Sequence, residues 1–188
     1  MAEHDGRSAR LALARMRATG AAAQDSYGVP DQLAGAARLT GRRLVEISHH
    51  GRPRLALGWL DGHEPSTDPG SGITRRKAPQ TELVVFAACL GCCWSDVHDH
   101  PWPGEPCDEV SVLEAVAAAR GNRSSTALGG YRTALGHLSE ALWIERRSGT
   151  VRLGPKTAVL TSAQVDILRS AHELLPRPTD TPPSEEST

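Results

Sequence analysis

The stretch "RSSTALGGYRTALGHLSEALWIERRSGTVRLGP", residues 123–155, constrains the fold more than any other part of the chain. Its small hydroxyl residues suit a helix N-cap, and apolar residues then follow at helical spacing. Those apolar residues are Leu128, Tyr131, Leu135, Leu138 and Leu142. Two short runs, "WIERR" and "TVRLG", flank Ser148-Gly149 and predict a two-stranded hairpin. The sequence therefore predicts an amphipathic helix over about 125–141 that leads into a hairpin over about 144–156.

Glycine occurs three times within this predicted helix, at Gly129, Gly130 and Gly136. A glycine inside a helix costs about 1 kcal/mol relative to alanine, so each one calls for a physical reason. One reason is close packing against a neighbouring helix. The other is close approach of the helix backbone to a binding partner. Both explanations are open at the level of the sequence.

The rest of the chain divides at residues 61–80, which are rich in Gly, Pro, Ser and Thr, lack periodicity and predict a linker. Before it, residues 1–60 predict a helix over 7–23, a short helix from Pro30 and a β-hairpin over about 43–60. After it, residues 81–176 predict a mainly helical domain. The tail over 177–188 is rich in Pro, Thr, Ser and Glu and predicts disorder.

Apolar periodicity predicts the buried faces of three more helices in the second domain. The first helix carries Leu83, Phe86, Leu90 and Trp94 on one stripe. The second carries Val112, Ala115, Val116 and Ala119. The last follows a capping-box match at Thr161–Gln164 and carries Val165, Leu168, Ala171 and Leu175.

Charge is divided unevenly along a chain whose net charge is only −1. Residues 81–119 contain seven acidic residues and no basic one, whereas residues 120–156 contain seven basic residues and two acidic ones. Residues 1–60 carry nine basic and five acidic residues. A basic block of this kind indicates a polyanionic partner through counterion release. The alternative is two solvated faces of opposite sign.

The predicted element order of the second half is helix, helix, short turn, helix, hairpin and helix. This order resembles the winged helix-turn-helix family of DNA-binding proteins over about residues 81–176, and the match is best over 111–155. The resemblance rests on element order, because no single residue is diagnostic. It implies an α+β fold, mainly α, in which a winged helix-turn-helix domain carries an amino-terminal helix and β-hairpin appendage. It also implies sequence-specific binding of double-stranded DNA by a homodimer, most simply for transcription regulation.

The geometry of a DNA duplex indicates which residues of this sequence would contact it. A major groove about 12 Å wide admits one α-helix, and the second helix of a helix-turn-helix pair fills it. That helix is the one predicted over 125–141. Phosphate contact is expected at the start of the helix, from Arg123, Ser124 and Ser125. Base or backbone contact is expected along its outward face, from Thr126, Arg132, Thr133 and His137. Backbone or minor-groove contact is expected from the hairpin, through Arg146, Arg147, Arg152 and Lys156.

Each of these residues also has an ordinary explanation. Arg132 is explained equally well as a solvated helix residue, and the hairpin arginines as charges that protect a sheet edge. The alternative function is a winged-helix module that docks a protein without binding DNA, through the acidic segment or the amino-terminal hairpin. A dimer is expected to form through the last helix, about 162–175.

The stretch "CLGCCWSDVHDHPWPGEPC" contains the residue types that zinc or an iron–sulfur cluster takes as ligands. The candidate ligands are Cys89, Cys92, Cys93, His98, His100 and Cys107. Against a metal site, there is no second C-x₂-C pair at the usual distance, and the first cysteines lie in a strongly apolar helix. We therefore favour core packing and no cofactor, with a metal-dependent redox-sensing regulator as the lesser alternative.

No catalytic motif is present: there is no glycine-rich phosphate loop, G-x-S-x-G or H-E-x-x-H. The sequence therefore predicts that the protein is not an enzyme. The first twenty residues include Glu3 and Asp5 and lack the apolar core of a secretory signal. The longest apolar run, residues 83–94, is shorter than the ~20 residues that a membrane span needs. A cytoplasmic protein with no membrane contact is expected.

Overall fold

A computed structural model describes residues 2–23, 30–49, 51–63 and 78–178. Residues 2–63, where described, form what we call the amino-terminal unit. Its elements are α1 (Ala2–Thr19), β1 (Ala21–Ala23), α2 (Pro30–Arg38), β2 (Arg42–His49) and β3 (Arg52–Trp59). The three strands form an antiparallel sheet in the order β1-β3-β2. The helices cover one face of this sheet and bury Leu13, Met16, Leu33, Ala37 and Leu55 in a core of their own.

The predicted first helix ends earlier than expected, and a strand that was not predicted follows it. Gly20 takes a φ of +82°, a left-handed conformation that ends the helix. Residues Ala21–Ala23 then pair with Arg54–Ala56 of β3. Alanine has little strand propensity, so this strand depends on its partner and not on its own sequence.

Residues 78–178 form the carboxy-terminal unit. Its elements are α3 (Gln80–Cys93), β4 (Cys107–Asp108), α4 (Glu109–Arg120), α5 (Ser125–Glu140), β5 (Ile144–Arg147), β6 (Thr150–Leu153), α6 (Pro155–Ala158) and α7 (Ser162–Ser170), followed by a 3₁₀ turn over His172–Leu174. The strands form an antiparallel sheet in the order β4-β6-β5. The fold is therefore α+β, with helices predominating, as the sequence predicted.

Helix α3 lies at the centre of this unit and packs against α4, α5 and β6. Its buried residues are Val85, Ala88, Cys89, Leu90 and Cys93. The predicted stripe was wrong at Leu83, whose surface is 51% exposed. Because α3 is apolar on nearly all sides, its sequence does not select one face, and the surrounding elements decide which residues are covered.

The carboxyl-terminal segment closes over the end of α3. The buried His172 ring donates from Nε2 to the Trp94 carbonyl at 2.9 Å, and Arg177 donates to its Nδ1 at 2.9 Å. A Cβ added at Gly91 would lie 2.2 Å from the Pro176 carbonyl oxygen, so only glycine fits there. The predicted tail therefore begins with Arg177, whose side chain is hydrogen-bonded to His172. Residues 179–188 lie outside the described part of the chain.

The two units pack against each other through one face of the first sheet. Ala21, Ile47 and Ala56 form a buried cluster with Ala158 from α6. Arg43 donates from Nη2 to the Leu160 carbonyl at 2.8 Å. A Cβ added at Gly58 would lie 3.1 Å from the Val159 carbonyl oxygen, so the backbones approach closely at this point.

The predicted linker also takes part in this packing. Asp61 accepts hydrogen bonds from the backbone N–H of Ser162 at 3.3 Å and from its hydroxyl at 2.8 Å. These bonds lower the pKa of Asp61. Residues 64–77 of the predicted linker lie outside the described residues. The last helix begins with the predicted capping box of Thr161 and Gln164, although α7 ends at Ser170 and not near Leu175.

Candidate nucleic-acid interface

Helix α5 begins after a tight turn from α4. Gly121 ends α4 with a φ of +61°, and the Asn122 side chain accepts the Ser124 N–H at 3.1 Å. The Ser124 hydroxyl then accepts the Ala127 N–H at 3.2 Å, which makes Ser124 the N-cap of α5. In this bond the Ser124 oxygen accepts, so the O–H of the hydroxyl that the sequence assigned to a phosphate is still able to donate. Arg123, Ser125 and Thr126 remain exposed around the start of the helix.

The body of α5 has the orientation that its periodicity predicted. Tyr131, Ala134, Leu135 and Leu138 are buried against the core, and Leu128 is half-buried. Gly129, Gly130, Arg132 and Thr133 are exposed on the opposite side. A Cβ added at Gly129, Gly130 or Gly136 would meet no described atom within 4 Å. Close helix packing therefore does not explain the three glycines, at least among the described residues.

Two polar residues of this face already have partners. The Thr133 hydroxyl donates to the Gly129 carbonyl at 3.1 Å, within the same helix. His137 lies 3.0 Å from a carboxylate oxygen of Glu82 on α3. The contact between His137 and Glu82 was not predicted, because helix periodicity indicates which way a side chain points and not which distant group it meets.

Arg123 and Arg132 lie together beside a groove between α4 and α5. The groove has a volume of about 250 Å³, and its apolar lining comes from Val110, Leu113, Ala117 and Leu128. Val110 is 64% exposed. Among the described residues, neither arginine forms an ion pair, although Glu114 also lines the groove. The two cations are thus available to a partner.

The hairpin separates its arginines onto two faces, since side chains alternate along a strand. Arg146 lies on the same face as Ile144 and opposite Val151, both of which are buried. Its guanidinium group donates from Nη2 to the Glu109 carboxylate at 2.7 and 2.9 Å and from Nε at 3.1 Å. The guanidinium group that the sequence assigned to a nucleic-acid contact is thus paired with a carboxylate of the protein itself. The alternation that begins at the apolar Ile144 was the signal that distinguishes Arg146 from Arg147.

Arg147 and Arg152 lie on the other face of the hairpin and are exposed. They line a cavity of about 420 Å³ together with Thr150 and Glu145. Arg152 is directly across from Glu145 in the strand register, so one carboxylate shares this face. The turn between the strands is formed by Ser148 and Gly149, both with positive φ, which suits a tight hairpin.

Lys156 is only half-exposed and its ammonium group lies 5.5 Å from the centre of the Trp143 ring. Burial lowers the pKa of Lys156. This lysine therefore packs against the protein more than the sequence predicted.

The candidate metal ligands are separated into two places. Cys89 and Cys93 are buried in the core, and Cys92 and Cys107 are half-buried next to it. His98 and His100 instead line a cleft of about 980 Å³ between the two units. Among the described residues, no three His, Cys, Asp or Glu side chains are arranged to hold a metal ion. The cysteines belong to the packing of α3 and β4, and Cys93 Sγ donates to the Val151 carbonyl at 3.6 Å.

That cleft between the units was not anticipated from the sequence. It is also lined by Arg43, Asp61 and Arg169. Burial lowers the pKa of His100, whose Nδ1 accepts the Trp102 N–H at 3.2 Å. Asp61 is bonded to Ser162, Arg43 to the Leu160 carbonyl, and Arg169 is paired with Asp166, so each of these charged groups has a partner within the protein.

The described elements define an α+β protein with two small three-stranded antiparallel sheets. No family model matches the chain, and no curated protein matches it. Among solved structures, a chain of the Nse1-Nse3-Nse4 complex is similar to it, with a TM-score of 0.55 and 11% sequence identity. The likeness covers 89% of this chain and 75% of that chain, so it includes both units. At this identity it shows similarity of fold alone. Within the described residues, no helix has the length and apolar character needed to cross a bilayer.

Proposed function

We propose that the carboxy-terminal unit is a winged helix that binds double-stranded DNA, with α5 as the recognition helix and β5–β6 as the wing. Its order of elements, α3, β4, α4, α5, β5 and β6, with β6 central in the sheet, is the arrangement expected for that fold. Sequence-specific binding, a role in transcription regulation and a homodimer are parts of the same proposal.

The observation that carries this proposal is the exposed side of α5. Arg123 and Arg132 have no ion pair within the described residues, and the glycines between them leave the helix without bulky side chains. A guanidinium group donates in a fixed fork to phosphate oxygens or to a guanine edge. A helix face with small side chains and two exposed arginines suits a DNA groove, which is bordered by phosphates.

A titration of duplex DNA against ionic strength tests the proposal. We expect the wild-type chain to bind a fluorescent duplex with an affinity that falls steeply as salt rises. Arg132→Ala should weaken binding to a selected sequence by roughly fivefold to 150-fold, corresponding to about 1–3 kcal/mol for a base contact. Arg120→Ala, an exposed arginine at the end of α4, is the matched control. Equal binding by Arg132→Ala and the control would reject α5 as the recognition helix.

Protein docking is the second candidate function, and the groove beside Arg123 and Arg132 favours it. An exposed Val110 in a groove that two arginines also line suits an amphipathic helix that carries acidic residues. The similar solved chain is part of a protein complex, which agrees with this alternative. Val110→Glu separates the two functions, because it should abolish capture of such a helix by repulsion and loss of apolar contact. If the unit binds DNA, Val110→Glu should weaken duplex binding only by the small amount expected from adding one negative charge to the protein.

A further inference from the structure

We propose that the chain contains the same structural unit twice and that the hairpins of the two units together form one groove for a sugar-phosphate strand. This inference rests on the proposed binding of duplex DNA. It adds the amino-terminal unit to the binding surface, with the β2–β3 hairpin as a second wing.

The two units share their topology. The described elements of the first unit run helix, strand, helix, strand, strand, and the second unit has the same order with one more helix, α4, after its first strand. In each sheet the last of these strands in sequence lies in the centre: β1-β3-β2 in the first and β4-β6-β5 in the second. The packing repeats as well. Helix α1 packs against α2 and β3, as α3 packs against α5 and β6, and α2 packs against β2 as α5 packs against β5. By this correspondence α2 is the counterpart of α5, and the described residues of the amino-terminal unit include no counterpart of α4.

The packing between the units fixes the two hairpins relative to each other. The close backbone approach at Gly58 and Val159 allows no side chain between them, and Arg43 spans the junction by bonding to Leu160. The apolar cluster of Ile47, Ala56 and Ala158 fills the space next to this junction. The hairpin ends are therefore held at a defined separation.

The two hairpin ends meet at the cavity of about 420 Å³. Ser48 and Gly51 contribute from the first hairpin, and Arg147, Thr150 and Arg152 contribute from the second. The wall between them comes from Trp102, Pro103 and Pro106. The opening thus has one side from each repeat.

The charges around this opening suit a phosphodiester strand. Arg52 is exposed at the start of β3, and strand alternation places Arg52 and Arg54 on the same face as Ala56, which turns towards the carboxy-terminal unit. Arg147 and Arg152 line the opening together with the carboxylate of Glu145, and Arg52 directly follows Gly51, which lines the other side. Each guanidinium group can donate two parallel hydrogen bonds to a phosphate. A volume of this size admits one strand of the backbone and not a whole duplex.

Salt-dependent binding of duplex DNA by the full chain tests the shared groove, with Arg52→Ala, Arg147→Ala and the double variant. Each single variant should weaken binding roughly threefold to tenfold and reduce the slope of log affinity against log salt by about 0.9, and the double variant by about twice that. Arg10→Ala, an exposed arginine on α1, is the matched control and should leave the slope unchanged. Circular dichroism of each variant establishes that it is folded.

Two outcomes overturn the inference in different ways. If the wild-type chain and Arg147→Ala differ in slope while Arg52→Ala equals wild type, the amino-terminal hairpin takes no part, and the proposed function stands without it. If the wild-type chain shows no salt-dependent affinity for duplex DNA, both the proposed function and the shared groove are rejected.

Discussion

The guanidinium group of Arg146 is paired with the carboxylate of Glu109, whereas the adjacent Arg147 is directed away from the core and exposed. The pair joins β5 to the first residue of α4 and is partly buried, with 33% of the Arg146 side chain and 17% of the Glu109 side chain exposed. Neighbouring arginines of one strand thus have different tasks. Arg146 holds elements together, and Arg147 is available to a partner.

This division predicts opposite effects for Arg146→Ala and Arg147→Ala. Arg146→Ala should lower the free energy of unfolding by about 1–2 kcal/mol, because it leaves a partly buried carboxylate unpaired. It should leave the salt slope of DNA binding unchanged. Arg147→Ala should reduce that slope by about 0.9 with a stability change within about 0.5 kcal/mol. Urea unfolding and salt-dependent anisotropy measure the two effects, and a reduced slope for Arg146→Ala would contradict the assignment.

The glycines of α5 provide a second prediction. Gly129→Ala and Gly130→Ala should each raise the free energy of unfolding by up to about 1 kcal/mol, because both positions are helical and open. If the helix backbone approaches a phosphate wall, the same substitutions should weaken duplex binding. Gly35→Ala in α2 is the matched control, since it is also helical with no described atom within 4 Å of an added Cβ. Stabilised α5 variants with unchanged DNA affinity would refute the close approach.

Ser124 and Ser125 are adjacent and should differ in stability. Ser124→Ala removes the hydroxyl that accepts the Ala127 N–H and should cost about 1 kcal/mol. Ser125→Ala changes an exposed residue at the first position of the helix and should change stability by less than about 0.5 kcal/mol. Thermal or urea unfolding compares the two variants. Equal stability would show that the cap contributes nothing in solution.

The cysteines predict a pH dependence. Burial, with the neighbouring Cys107 thiol as the next cause, raises the pKa of Cys92 and of Cys93 to about 12. At pH 8 the folded chain should therefore hold roughly a thousandfold less thiolate at these positions than an ordinary thiol does. Iodoacetamide followed by mass spectrometry should label Cys92 and Cys93 far more slowly in the native chain than in urea. Native labelling within a few fold of the unfolded rate would contradict the burial.

The same shifts have a consequence for stability. The unfolded thiols ionise near their ordinary pKa of 9, and the folded ones do not ionise until about 12. Because the folded pKa values are raised, the stability they provide is complete below pH 9 and is lost as the pH rises from 9 towards 12. Unfolding midpoints measured across that interval should fall, and Cys92→Ser should flatten the decline.

The parts of the structure that sequence reasoning predicted are those with local signals. The Ser124 cap, the apolar period of α5 and the Ser148-Gly149 turn all act within a few residues, and each predicts its own element. The Glu109 partner of Arg146 lies 37 residues away in the sequence, beyond any local signal. The three-alanine strand β1 is defined only by its pairing with β3, so the repeat of the two units was invisible until the sheet order was known.

The contact between Gly58 and Val159 also bears on the energetics of association. Two modules joined by a slack tether must lose orientational freedom when they engage one target together, and that loss lowers affinity. Here the loss is already incurred when the chain folds, so simultaneous engagement by both modules carries little additional entropic penalty. A bulkier side chain at residue 58, such as valine, would push the modules apart, and we expect it to weaken target affinity without altering any residue that touches the target.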